Sequence, residues 1–141
     1  MSLANTLLSQ LATPDPDQPW LTEPREVRWT DPVTALRCWV RRHPVTLALC
    51  GYVQVPPDNP LHGVHYSNLD TIVVHGGLTF SGRIEGHFYL GFDCSHAWDL
   101  LPGLPWQNEG AFYRTVEFVK TECTRLAAQV HALRTGYVRV Q

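Results

Sequence analysis

The strongest periodicity in the chain lies towards its end. Phe112, Val116, Val119, Cys123, Leu126, Val130 and Leu133 follow one another at alternating steps of four and three. That spacing predicts an α-helix of roughly six turns with one apolar stripe. Arg114, Lys120, Thr121 and Arg125 fall on its other face, Asn108 can cap its start and Gly136 its end. A helix apolar on one side requires a second layer to cover that side.

Upstream, the pattern is that of strands. Residues 45–55 (VTLALCGYVQV) are rich in β-branched and aromatic side chains and stop at Pro56-Pro57; they predict a strand with a bulge at Gly51. Residues 71–75 predict a short strand broken by Gly76-Gly77, with 78–80 continuing it and 81–83 (Ser-Gly-Arg) as a turn. Residues 85–94 predict a further strand. Its alternation puts Phe88, Leu90, Phe92 and Cys94 on one face and His87, Tyr89, Gly91 and Asp93 on the other. Cys94 is thereby expected in the core, as a buried thiol. Asp31-Pro32 reads as a helix start, an N-cap followed by proline at the first helical position. That helix would run to about Arg42 with Val33, Leu36 and Val40 on one face, and end before Pro44.

Residues 12–32 carry five prolines and read as an extended lead-in, tacked to the core by Trp20 and Trp29, with a short helix at 2–11 before it. Residues 58–70 and 95–108 are loops. The expected architecture is a single small α+β domain over 31–141, preceded by the lead-in 1–30. A mainly antiparallel sheet carries the long C-terminal helix on one face, with the helix of 32–42 in the same layer.

Composition narrows the function. The chain has 141 residues, 44% of them apolar, and five each of Trp, Tyr and Phe, enough to build a core without metal or disulfide. Its net charge of −2 argues against a nucleic-acid polymer as partner, since such binding rests on a basic face. A small anionic ligand remains compatible. Cys38, Cys50, Cys94 and Cys123 form no CxxC pair, which argues against a zinc knuckle or redox dithiol and for reduced thiols in a cytoplasmic protein. Residues 1–11 lack a basic start and a long apolar run, so neither a signal peptide nor a membrane span is expected.

Two segments carry the candidate chemistry: VHGGLTF (74–80) and GFDCSHAWD (91–99). Packing has no use for His75, Asp93, His96 and Asp99 so close together. Histidine titrates near neutral pH, so His75 and His96 can serve as general base and acid, oriented by Asp93. Gly76 and Gly77 permit positive φ and, with Thr79, can let an anion approach the main chain. Arg83 could meet a phosphate, Tyr66 and Trp98 could stack on a ring, and Asp99 could contact ligand or cap a turn. A divalent metal held by His75, His96 and one aspartate is the competing chemistry; no cofactor is favoured. His62 and His65 read as solvated loop residues.

GYVQVPPDNPL, HGGLTF, GFDCSHAWD and a helix containing YRTVEFVKTEC, in that order, resemble a family of small bacteriophage and bacterial proteins. Its pattern is a GYV-VP segment, an HGGLT segment, a GFDC-HA-D segment and a C-terminal helix. The resemblance covers residues 51–129, a little over half the chain, and places the family's motif residues on His75, Gly76, Gly77, Asp93, Cys94, His96 and Asp99. It implies a phage-borne protein acting in the host cytoplasm against host defence. Two activities would suit that role: hydrolysis of a small nucleotide-like signal, or its sequestration by a non-catalytic sponge, with a homo-oligomer as one arrangement. An inhibitor that binds a host protein by surface contacts is the third alternative.

Overall fold

The computed structural model describes residues 17–104 and 110–136. The helix expected at 2–11 and the Asn108 cap lie outside them. Five strands, β1 (Glu26–Thr30), β2 (Arg37–Arg42), β3 (Leu49–Gln54), β4 (Phe80–Ile84) and β5 (His87–Asp93), form one antiparallel sheet in the order β1-β2-β3-β5-β4. The helix α1 (Val116–Ala132) lies across one face. The α+β architecture read from the sequence is the architecture observed.

The core is built by the two predicted periodicities meeting. Val116, Val119, Cys123, Leu126 and Val130 of α1 are buried, as are Cys38 and Val40 of β2, Val53 of β3 and Phe88, Leu90 and Phe92 of β5. Full burial of each such Val, Leu or Phe contributes about 1.5–3 kcal/mol. Gly51 is no bulge: it pairs in register with Val40 and Phe92. A Cβ there would stand 2.5 Å from the Phe92 ring and 2.8 Å from Cys123 Sγ, so the missing side chain is where ring and thiol fit.

Three other expectations fail, each for a local reason. No helix follows Asp31. Its carboxylate accepts from the Thr34 N–H (3.0 Å) and hydroxyl (2.6 Å), as an N-cap does, but Ala35 then turns left-handed at φ 62°. The chain leaves after one turn and enters β2 with Arg37 and Arg41 outward and Cys38 and Val40 inward. The Ser81-Gly82-Arg83 turn is the middle of β4; the reversal comes at Glu85-Gly86 (φ 54° and 84°), two residues in the left-handed region between the paired Ile84 and His87. The expected strand at 71–75 has no neighbouring strand among the described residues. Ile72 and Val74 are buried and Val73 exposed, as in a strand, but the Gln129 side chain of α1 takes the partner's place. Its Oε1 accepts from Val73 N–H (2.8 Å) and its Nε2–H donates to Val73 C=O (2.7 Å).

The lead-in is shorter than expected, because 26–30 is the edge strand β1, and Trp29 within it packs against the core. Trp20 packs edge-on against Tyr113 at 5.0 Å. Glu23 ties this segment to α1: its carboxylate accepts from Val116 N–H (2.8 Å) and Tyr113 hydroxyl (2.5 Å), a negative charge at a helix N-terminus. Thr115 is the N-cap, so α1 starts later than the stripe suggested, and Phe112 stands outside it, largely exposed. Among the described residues, no helix is long and apolar enough to cross a membrane.

Candidate functional site

The two motif segments meet around one buried carboxylate. His75 ends the stretch held by Gln129, and the Val74–Gly77 turn that follows is closed by Gly77 N–H on Val74 C=O (2.8 Å). His96 and Asp99 belong to the turn after β5, closed by Asp99 N–H on His96 C=O (2.9 Å). Main-chain bonds from Leu100 to Phe112 and from Phe112 to Trp98 then bring Arg114 alongside.

Asp99 sits at the centre with its side chain 1% exposed. His75 Nε2 is 3.0 Å from both its oxygens, His96 Nδ1 is 3.0 Å from Oδ2, and Arg114 Nε–H donates to Oδ1 at 2.8 Å. The His96 main-chain N–H donates to Oδ2 at 3.0 Å. Burial alone would push this carboxyl up; the hydrogen bonds from His75, Arg114 and His96 outweigh it and hold the pKa at about 2. An ionised carboxylate only accepts, so both imidazole nitrogens facing it carry protons. In a neutral ring the second nitrogen, Nδ1 of His75 or Nε2 of His96, is then the acceptor, and His96 Nε2 stands 3.8 Å from Asp93 Oδ1. His96 is the more open ring, its side chain 35% exposed against 17% for His75. The rings meet edge to face at 5.3 Å, and His75 packs in the same way on Phe118.

The expected roles of the aspartates are exchanged in this geometry. Asp93 was expected to orient a histidine, but its Oδ1 is 3.8 Å from His96 Nε2, and its firmer partners are Thr79 Oγ1 (3.0 Å) and Ser95 N–H (3.1 Å). Asp99 orients both rings. The anion-binding role expected of Gly77 loses its donor, because that N–H is taken by Val74. Gly76 has another part: at φ 68°, a Cβ on it would lie 2.1 Å from His96 Cε1. Only glycine lets the main chain pass so close to the imidazole. Trp98 is 63% exposed beside His96. Arg83 and Tyr66 are elsewhere. Arg83 pairs with Phe88 near the start of β5, roughly 17 Å along the strand from Asp93. Tyr66 stacks on His65 and its N–H reaches Ser81 in mid-β4.

Arg114 is the site residue that the pattern concealed. It was assigned to the polar face of a helix that begins only after it. No spacing rule links it to Asp99.

His75, His96 and Asp99 each present an atom within 4.8 Å of the others, a set able to ligate a divalent ion. An ion there would have to displace both imidazole protons and sit beside Arg114, which already supplies positive charge to the carboxylate.

Cys94 is buried as its strand parity required, and burial pushes its thiol up. Burial does the same for Cys123 and takes Cys38 to about 12. None of the three is a nucleophile in the folded protein. Iodoacetamide is therefore expected to modify half-buried Cys50 first and to spare the other three until denaturant is added, as peptide mass spectrometry would show. Rapid native labelling of Cys94 would contradict this placement.

No protein-family model matches the chain, and neither does any curated protein or solved structure.

Proposed function

We propose that the protein is a hydrolase for a small nucleotide-like ligand, with His96 as its proton-transfer group. One observation carries the reading. The buried Asp99 carboxylate fixes His96 through Nδ1 and leaves Nε2, 3.8 Å from Asp93 Oδ1, as the second nitrogen of the more open ring, the arrangement that makes an imidazole an oriented general base. Cys38, Cys94 and Cys123 are buried, and burial also raises the Cys50 thiol, so water is the nucleophile in this reading. His96 Nε2 takes its proton as the oxygen adds to phosphorus, and returns the proton to the leaving oxygen as the old phosphorus–oxygen bond breaks. His75 and Arg114 hold Asp99 ionised and in place, and Trp98 offers a plane for a base or sugar ring. The resemblance to phage-borne proteins supports a nucleotide-derived defence signal as the ligand, met in the host cytoplasm.

The test is incubation of the protein with a panel of cyclic and linear nucleotides, with and without chelator, followed by denaturation and chromatography with mass spectrometry. One compound is expected to be consumed in excess over protein, and His96→Gln to lower that turnover roughly 10²–10⁴-fold. Turnover unchanged in His96→Gln would sink the assignment. A compound depleted by the native protein but recovered intact after denaturation would replace hydrolysis with sequestration.

A further inference from the structure

The sheet has a second face, and no helix among the described residues covers it. Along it run Glu26, Arg28 and Thr30 of β1, Arg37, Trp39 and Arg41 of β2, Tyr52 and Gln54 of β3, and His87 and Tyr89 of β5. An uncovered sheet face is ordinarily wet. Here Trp39 is 4% and Tyr89 5% exposed.

Two features bury them. The face is concave: Trp39 and Tyr89 lie on strands separated by β3, yet their ring centroids are 5.8 Å apart. Backbones two strands apart are separated by about 9.6 Å. Arginines then roof the rings. The Arg28 guanidinium lies 4.0 Å from the Trp39 ring centre and Arg41 4.8 Å from it. Arg28, on one edge strand, also reaches Glu85 at the turn ending the opposite edge strand, with Nη1 at 3.0 Å and Nη2 at 3.3 Å from its two oxygens. That fork-to-fork pair bridges the concave face.

On either side of the bridge is an open cavity. One, of about 360 Å³, is lined by Trp29, Trp39, Tyr89 and His87, with Arg28, Arg37 and Gln54 among its polar groups. The other, of about 570 Å³, has Arg25, Arg28 and Arg41 along it. Charge is segregated here. Five of the chain's eleven cationic residues line the two cavities, against two of its thirteen acidic ones, in a protein of net charge −2. Among the described residues, Arg37 and Arg41 have no carboxylate partner within ion-pair distance.

We infer that this concave face is a binding site for a small aromatic anion, a planar ring carrying a phosphate or carboxylate, and that Glu85 stands in for the ligand's anionic group until the ligand arrives. The geometry supplies each part. A guanidinium over an indole, as Arg28 is at 4.0 Å from the Trp39 ring centre, is steadied by the ring, and its N–H fork matches a carboxylate or phosphate. The Arg28–Glu85 pair is solvent-exposed on both sides, so it is weakly held and can exchange partners. The aromatic walls take the ring, and the Gln54 amide, 3.2 Å from His87 Nδ1, can meet its edge. The bridge splits the face into short compartments, which suits one ring rather than a polymer. The site shares a ligand class with the hydrolase reading but does not rest on it, since its readout is binding.

The experiment is calorimetric titration of the full chain with adenosine 5′-monophosphate and with phenylphosphonate, which resists hydrolysis. Inorganic phosphate, adenosine and an eight-residue oligothymidylate are run alongside. One of the two aromatic anions is expected to bind with a Kd below about 1 mM, and phosphate and adenosine more weakly. Arg37→Ala, an exposed substitution, is expected to weaken binding roughly tenfold, the worth of one charge-assisted hydrogen bond. Glu85→Gln is expected to strengthen it several-fold, because the internal competitor is gone. Three results would each overturn the inference: no aromatic anion binding below about 10 mM, affinity indifferent to both substitutions, or Glu85→Gln weakening binding. Oligothymidylate binding well above the mononucleotide would reassign the face to a polymer. A protein that turns nothing over but shows the opposed effects of Arg37→Ala and Glu85→Gln would keep this site and lose the hydrolase.

Discussion

Asp99→Asn is expected to inactivate the protein and to lower its melting temperature by roughly 10 °C. The Asp99 carboxylate accepts from two imidazoles, a guanidinium and a main-chain N–H, and its side chain is 1% exposed. An asparagine is the same size but neutral, and one of its two terminal groups donates. Arg114 would then keep a partly buried charge without a counter-charge, a loss on the order of 3 kcal/mol. For a chain of this length that corresponds to the stated shift. His96 would lose the acceptor that fixes its tautomer, and turnover should fall about 10³-fold or more. Acid titration gives an independent check. The folded-state pKa of Asp99, about 2, is below the usual carboxyl value of 3.8. A depressed pKa stabilises the fold above the unfolded value and ceases to do so as pH falls through the folded one. Wild type should therefore lose about 2 kcal/mol between pH 4 and pH 2 from this group, and Asp99→Asn should lack that component. Equal acid limbs in the two proteins would show that Asp99 is not held as described.

The second large effect is expected at Gly51. A methyl group there meets Phe92 Cζ at 2.5 Å, Cε1 at 2.6 Å and Cys123 Sγ at 2.8 Å. Phe92 is 1% exposed and Cys123 fully buried, so neither can step aside. Gly51→Ala should cost about 3 kcal/mol, and Gly51→Val should leave little folded protein. Combining Gly51→Ala with Phe92→Leu should recover part of the loss, with a coupling of roughly 1–3 kcal/mol in a denaturation cycle. Additive effects would mean that the ring and the glycine do not share the space.

What the sequence revealed, and what it hid, divides along a physical line. The stripe Val116 to Val130 and the alternation Phe88-Leu90-Phe92-Cys94 were legible because each repeats, and repetition reflects a single buried face. The signs that stand alone misled. Asp31-Pro32 is chemically an N-cap, but a cap fixes where a turn starts and not how long it runs. Ser81-Gly82 has turn composition, yet two left-handed residues were needed, and Glu85-Gly86 supplied them. Val73 alternates as a strand residue does while bonding to Gln129, 56 positions on, a partner that no local pattern encodes. The site followed the same division. The two motif segments announced His75, Asp93, His96 and Asp99 as a group by density alone. Which aspartate serves the histidines was decided by burial, and Arg114 joined through a tertiary bridge between Trp98, Leu100 and Phe112. The concave face was hidden for a related reason: its arginines and aromatic residues come from four strands and align only once the register is set.

The position of α1 in the chain order has a consequence for biosynthesis. Every described strand leaves the ribosome before Val116, and until α1 follows, the cover that Val119, Cys123, Leu126 and Val130 give to the buried face of Val40, Val53, Leu90 and Phe92 is missing. A nascent chain that ends before α1 thus carries the strands with their apolar face only partly covered, the kind of species that associates with copies of itself or engages chaperones. Closure of the core is set by α1: Cys123, Leu126 and Val130 are among the residues that convert an adhesive sheet into a closed core.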